Sequence, residues 1–103
     1  MLDRALIRNS TLTMKISASE QVQAWLIAQP PQRKHRIRLA LRNLSKGQGD
    51  IRPLSGKLEG YNRLRVGGMR ILYRQISSRE IRLEYANTRD VVYELFQSLL
   101  NDT

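Results

Sequence analysis

Cysteine is absent from the 103 residues. That excludes a disulfide framework, a thiolate zinc site and a cysteine nucleophile together. Histidine is nearly absent: His35 stands alone, so no second imidazole is available for a histidine-based metal cluster. Proline and glycine are sparse enough that each is read as punctuation between elements rather than as bulk composition. No apolar run approaches the roughly 20 residues of a membrane span. The opening MLDRALIRNS lacks the long apolar stretch of a secretory signal. The expectation is a cytoplasmic protein with no membrane partner, no metal and no cofactor. Acidic residues are also scarce, nine against eighteen Lys and Arg.

What is present follows from that imbalance. The net charge is +9, and fourteen of the eighteen cations are arginine. Guanidinium forks match phosphate oxygens bidentately, so the bias points to a polyanionic partner, either nucleic acid or an acidic protein. Plain solubility is the alternative, but it does not require so much arginine. A chain of this length forms one domain, residues 1–103, with a modest core and little room for a deep enzyme pocket. A hydrophobic fraction of 41% is ordinary for a folded globule.

Residues 1–10 show no clean period and read as a loose lead-in. Thr11 to Ser17 alternates, with Leu12, Met14 and Ile16 on one side, which predicts a half-buried strand. Ser19 fits a helix N-cap. Val22, Trp25 and Leu26 then share a face, and Gln29-Pro30-Pro31 ends this helix. Pro31 opens a second helix running to about Ser45. Its buried stripe is Ile37, Ala40, Leu41 and Leu44, and Arg33, Lys34, Arg36, Arg38 and Arg42 occupy much of the rest. So short a link predicts an antiparallel helical hairpin. Lys46 to Gly56 reads as a loop. Tyr61–Val66, Met69–Gln75 and Glu80–Ala86 alternate as three meander strands, and Thr88–Leu100 has helical spacing. The expected fold is α+β: an antiparallel sheet of about four strands against the hairpin, in the order β-α-α-β-β-β-α, with a C-terminal helix. The first strand is expected at an edge or beside the last strand.

The pair Gly67-Gly68 sharpens the inference, because primed two-residue turns need positive φ. Such a turn sets Val66 against Met69, Arg65 against Arg70, Leu64 against Ile71 and Arg63 against Leu72. Arg63, Arg65 and Arg70 then share one face, with Leu64, Val66, Met69 and Ile71 on the other. Like charges placed opposite each other destabilise a sheet. Either an anion rests on that face, or Glu59, Glu84 or Asp90 neutralises it from nearby.

The stretch LSGKLEGYNRLRVGGMRILYRQ, Leu54 to Gln75, resembles the central part of RelE/ParE toxins: a Gly-Lys-Leu lead, a strand of alternating basic residues, a glycine turn, then apolar, Arg, apolar, apolar, Tyr. The tail Asn87 to Tyr93 (NTRDVVY) is similar to that family's Arg-x-x-x-Tyr ending, and the likeness spans roughly Leu12 to Phe96. It implies a RelE-like toxin of a toxin–antitoxin system, a ribosome-dependent endoribonuclease (an mRNA interferase) that inhibits translation by letting the RNA's own 2′-hydroxyl attack the scissile phosphate without a metal. It implies a cognate antitoxin, messenger RNA and the ribosome as partners. By position, Arg63, Arg65, Arg70, Arg89 and Tyr93 would surround the phosphate, with the arginines stabilising negative charge and Tyr93 stacking on a base or moving a proton. Lys57 and Tyr73 are further candidates for RNA contact, against a solvated loop lysine for the first and packing or hydrogen bonding within the sheet, the favoured reading, for the second. The family's stronger ribonucleases often carry lysine in the first strand, where this chain has arginine. His35 reads as exposed and Trp25 as core. Two rival readings remain: a ParE-like inhibitor of DNA gyrase, and a non-catalytic RNA-binding module held by salt-sensitive phosphate contacts.

Overall fold

The alternating segments build a sheet of five strands, seen in a computed structural model that describes residues 13–101. The elements are β1 (Lys15–Ala18), α1 (Glu20–Ile27), α2 (Pro31–Leu44), β2 (Asp50–Pro53), a 3₁₀ turn (Gly56–Leu58), β3 (Asn62–Val66), β4 (Met69–Ser77), β5 (Glu80–Thr88) and α3 (Val91–Asn101). Across the sheet the order is β1-β5-β4-β3-β2. The suggested lead-in over residues 1–10, and Thr11 and Leu12 of the expected first strand, lie outside the described residues.

Two expectations need correction. The sheet has five strands rather than about four, because Asp50–Pro53 pairs with Asn62–Arg65 inside the stretch read as a loop. Pro53 disguises this strand, yet an edge position tolerates a residue that cannot donate to a ladder. The sheet is also mixed rather than antiparallel. β1 occupies the edge beside β5 as anticipated but runs parallel to it, Ile16 against Ile81.

The period-two pattern decides the two faces. Leu64, Val66, Met69, Ile71, Tyr73, Ile81, Leu83 and Ala86 pack under α1 and α2, against Val22, Ile37 and Leu44. On the opposite face α3 lays Val92 and Phe96 over Leu72, joined by Leu58 from the 3₁₀ turn. The sheet is therefore covered by two helices on one side and by one helix over part of the other. The uncovered part of that second side carries the arginines.

Local chemistry fixes the hairpin to the sheet. The Ser19 hydroxyl accepts from the Val22 amide at 3.3 Å and donates to the Glu84 carbonyl at 2.8 Å. One side chain thus caps α1 and ties it to β5. Ser19→Ala is expected to cost about 1 kcal/mol, read as a lower urea midpoint with an unchanged slope. An unchanged midpoint would remove the cap from this account. In β5, Glu84 is an extra residue between the pairs Leu72–Tyr85 and Tyr73–Leu83, a β-bulge. It directs the Glu84 carboxylate to Arg74 and Arg82.

Candidate nucleic-acid interface

The two-glycine turn has the register expected of it. Val66 faces Met69, Leu64 faces Ile71 and Arg65 faces Arg70. Gly67 takes φ +59°, the sign a type II′ turn requires at its first central position. Extending the register to the neighbouring strands gives a row Asp50–Arg65–Arg70–Asn87 and, beside it, Arg52–Arg63–Leu72–Tyr85. Alternation places both rows on the face opposite the helical hairpin.

The three arginines of this face differ in their surroundings. Arg63 is buried, with 10% of its side chain exposed, and donates to the Asp50 carboxylate at 2.7 Å. Its Nε is buried without a hydrogen-bond partner. Arg65 is exposed, and its Nε approaches the Gly67 carbonyl at 3.4 Å. Arg70 donates from Nη1 to the carbonyls of Gly67 and Met69, both at 3.2 Å. Its Nε lies 3.6 Å from Asp90, a carboxylate 84% exposed. So loose and solvated a pair contributes little. Arg65 and Arg70 therefore face each other across the strands and share one backbone carbonyl. Among the described residues, Arg65 has no carboxylate partner.

The neutralising carboxylates are only partly those considered from the sequence. Asp90 reaches Arg70. Glu84 is engaged with Arg74 and Arg82 beyond the bulge, and Glu59 forms no ion pair among the described residues. Asp50 on Arg63 went unforeseen, because it sits on the strand hidden in the apparent loop.

The remaining candidates spread around this patch. Tyr93 is half-buried on α3, packed against the cluster of Leu58, Leu72, Val92 and Phe96, and so lies on the arginine side of the sheet. Arg89 is not grouped with the three sheet arginines. It takes φ +57° at the corner between β5 and α3, and its amide donates to the Gly68 carbonyl at 2.7 Å. Its side chain lines a cleft with Arg33, Arg36, Gly68, Met69 and Thr88. Lys57 is exposed on the 3₁₀ turn, at the end of β3 away from the glycines.

Tyr73 is a correction. It lies on the other face, 6% exposed in the core under the hairpin, because odd-numbered positions of β4 point that way. It is not available to touch RNA. Burial raises its phenol above the ordinary tyrosine value. The unfolded chain then loses this proton first as pH rises. Its stabilising contribution is whole below about pH 10 and is lost as pH climbs from there through the folded value. A urea midpoint falling above about pH 10 is expected, and Tyr73→Phe should flatten part of that fall. An equal fall in the variant would assign the effect elsewhere. His35 is exposed and Trp25 packs beside the core, both as the sequence suggested.

Sequence reasoning missed Asp50, Asn87 and the pairing of Arg33 and Arg36 with Arg89. The helical spacing of Arg33 and Arg36 was visible, but their approach to the glycine turn depends on how the hairpin seats on the sheet. Among the described residues, no group of three or more His, Cys, Asp or Glu is arranged to hold a metal ion. No helix there is long and apolar enough to cross a membrane.

A five-stranded mixed sheet with two helices on one face and a C-terminal helix on the other is an architecture known from solved structures. The toxin–antitoxin complex RelBE2 of Mycobacterium tuberculosis contains a chain that superposes with a TM-score of 0.65 at 21% identity, covering 75% of this chain and 99% of that one. The archaeal RelE–RelB complex of Pyrococcus horikoshii gives 0.60 at 22%, covering 76% and 97%. The YoeB/ParE toxin of Agrobacterium tumefaciens gives 0.61 at 20%, covering 74% and 99%. The sequence matches no family model and no curated protein. The chain thus has an α+β fold of known type. More narrowly, that fold is the one shared by RelE and YoeB/ParE structures.

Proposed function

We propose that this protein is the toxin of a toxin–antitoxin pair and that it cleaves messenger RNA on the ribosome, so stopping translation. The observation that carries the reading is the Arg65–Arg70 pair. Two guanidinium groups are set opposite each other across β3 and β4 and share the Gly67 carbonyl, with no carboxylate on Arg65 and only the loose, solvated Asp90 beside Arg70. An RNA phosphate on that face supplies the missing negative charge. The fold likeness to toxins solved with RelB antitoxins supports a cognate antitoxin as the second partner.

The reaction suited to such a patch is transesterification. The 2′-oxygen bonds to the adjacent phosphorus, the bond from phosphorus to the 5′-oxygen breaks, and the products are a 2′,3′-cyclic phosphate and a 5′-hydroxyl. Arg65 and Arg70 hold the non-bridging oxygens as charge grows there. Arginine remains protonated and is a poor base. The proton of the 2′-hydroxyl is therefore relayed elsewhere: the Tyr93 hydroxyl, on the same side of the sheet, accepts it while releasing its own through solvent to the departing 5′-oxygen, and its ring also offers a surface for a base. Arg63, held by Asp50, extends the positive field of the patch. Arg89 and Lys57 serve the flanking RNA.

Inhibition of DNA gyrase is the second reading. It is favoured by Arg63 being committed to Asp50 and by Arg89 standing at the rim, which leaves fewer guanidinium groups over one phosphate. A translation extract with a defined message separates the two. The nuclease reading expects cuts at fixed codon positions, dependent on ribosomes and ending in cyclic phosphate. An intact message together with arrested supercoiling by purified gyrase would contradict it and favour the second reading.

A further inference from the structure

Around the same glycine turn lies a second basic feature, on the side of the sheet that the helices cover. The start of α2 and the β3–β4 turn enclose a cleft of about 430 Å³ lined by Arg33, Arg36, Gly68, Met69, Thr88 and Arg89. We propose that this cleft is a second phosphate subsite, which holds a backbone phosphate of the same RNA strand after it passes over the turn. The proposal rests on the RNA reading of the sheet face and adds to it a path for the substrate.

The charges of α2 call for an anion. The first turn of this helix contains no acidic residue, and its N-cap, Pro30, offers no side-chain hydrogen bond. Arg33, Lys34 and Arg36 are nevertheless placed at that end, where the helix dipole is itself positive. Arg33 and Arg36 stand three residues apart, a spacing at which like charges repel on a helix surface. Among the described residues none of Arg33, Lys34, Arg36 and Arg89 forms an ion pair, and no carboxylate lines the cleft. Three arginine forks, the Thr88 hydroxyl and the turn backbone suit phosphate oxygens well.

The turn joins the two sites. The Gly67 carbonyl receives Arg65 and Arg70 from the sheet face. A Cβ placed on Gly67 would stand 3.3 Å from Nη1 of Arg36. The Gly68 carbonyl receives the Arg89 amide, and a Cβ on Gly68 would meet nothing within 4 Å. Five arginines therefore surround a turn that presents bare backbone. A strand crossing it meets no side chain and finds guanidinium groups on both sides. This continuity favours the substrate strand over an acidic segment of a protein, which would have no reason to follow the turn.

The test measures binding of a single-stranded RNA of about twelve nucleotides and of a trinucleotide, both blocked by 2′-O-methyl groups, as a function of salt. The variant Arg33→Gln/Arg36→Gln is compared with Arg38→Gln/Arg42→Gln, which removes equal charge from other positions of the same helix. The cleft variant is expected to bind the longer RNA at least tenfold more weakly. Its salt slope should fall by about 1.4, two phosphate contacts at ~0.7 each for single strands. It should bind the trinucleotide as the unaltered protein does, and the control should change by less than about twofold. Equal losses in both variants, an equal loss for the trinucleotide, or no loss at all would overturn the subsite. So would a polyglutamate peptide that depends on Arg33 and Arg36 while the longer RNA does not. Absence of message cleavage with the length-dependent loss intact would sink the nuclease reading and leave the subsite standing. Cleavage with unaltered binding by the cleft variant would do the reverse.

Discussion

Replacing Arg65 and Arg70 together by alanine is expected to lower message cleavage by about a thousandfold or more and to abolish growth arrest in cells. The size follows from the role. Removing one preorganised group that stabilises charge in a transition state costs on the order of 10²–10³ in rate, and these two guanidinium groups address the same phosphate. Folding should survive the change, because Arg65 is exposed and its one side-chain hydrogen bond, to the Gly67 carbonyl, is long. Relief of the cross-strand repulsion offsets part of what Arg70 loses at Gly67 and Met69. Single variants, Arg70→Ala and Tyr93→Ala, should each relieve growth arrest. Cleavage kinetics and a thermal melt on the same preparations decide the matter. Full toxicity in a folded double variant would remove the patch from the mechanism.

Phe96→Ala is expected to have the largest effect on stability, about 3–5 kcal/mol out of the roughly 5–15 kcal/mol available to a domain. Phe96 is 6% exposed and is the centre of the smaller core. Its ring meets Tyr61 edge-on at 5.0 Å and stacks on Tyr85 at 5.7 Å. No other side chain of α3 is engaged by two aromatic partners in this way. Phe96 and Val92 together fasten the helix that carries Tyr93, and loosening it at Phe96 should lower activity as well as stability. Leu95→Ala, on the exposed side of the same helix, should change stability by less than about 0.5 kcal/mol. Urea titration of both variants checks the contrast. Equal losses would mean that α3 is held elsewhere.

The parts of this fold set by short-range rules were legible in the sequence. Ser19 is the cap it resembles, Pro30-Pro31 separates the two helices, and Gly67-Gly68 fixes the register that places Arg65 against Arg70. What escaped was set by long-range pairing. Asp50–Pro53 has the composition of a loop and becomes a strand only because β3 offers it an edge. The direction of β1 depends on a partner more than sixty residues away, as Ser17 and Glu80 illustrate with a hydrogen bond across a separation of 63 residues. For the site, alternation correctly grouped Arg63, Arg65 and Arg70 but could not show that Asp50 would bind Arg63. Tyr73 packs in the sheet, the more favoured of its two readings, and its parity in β4 removes it from the RNA candidates. Arg89 was placed by the tail motif, while its left-handed corner turns it toward Arg33 and Arg36.

The central claim is that an RNA phosphate rests between Arg65 and Arg70. Arginine Nε–H resonances, followed by NMR as a non-cleavable 2′-O-methyl RNA is added, test it most directly. The signals of Arg65 and Arg70 should shift together and saturably, and the Arg74 signal, whose guanidinium is bound to Glu84, should stay in place. Shifts confined to arginines away from the glycine turn, with those of Arg65 and Arg70 unmoved, would contradict the account.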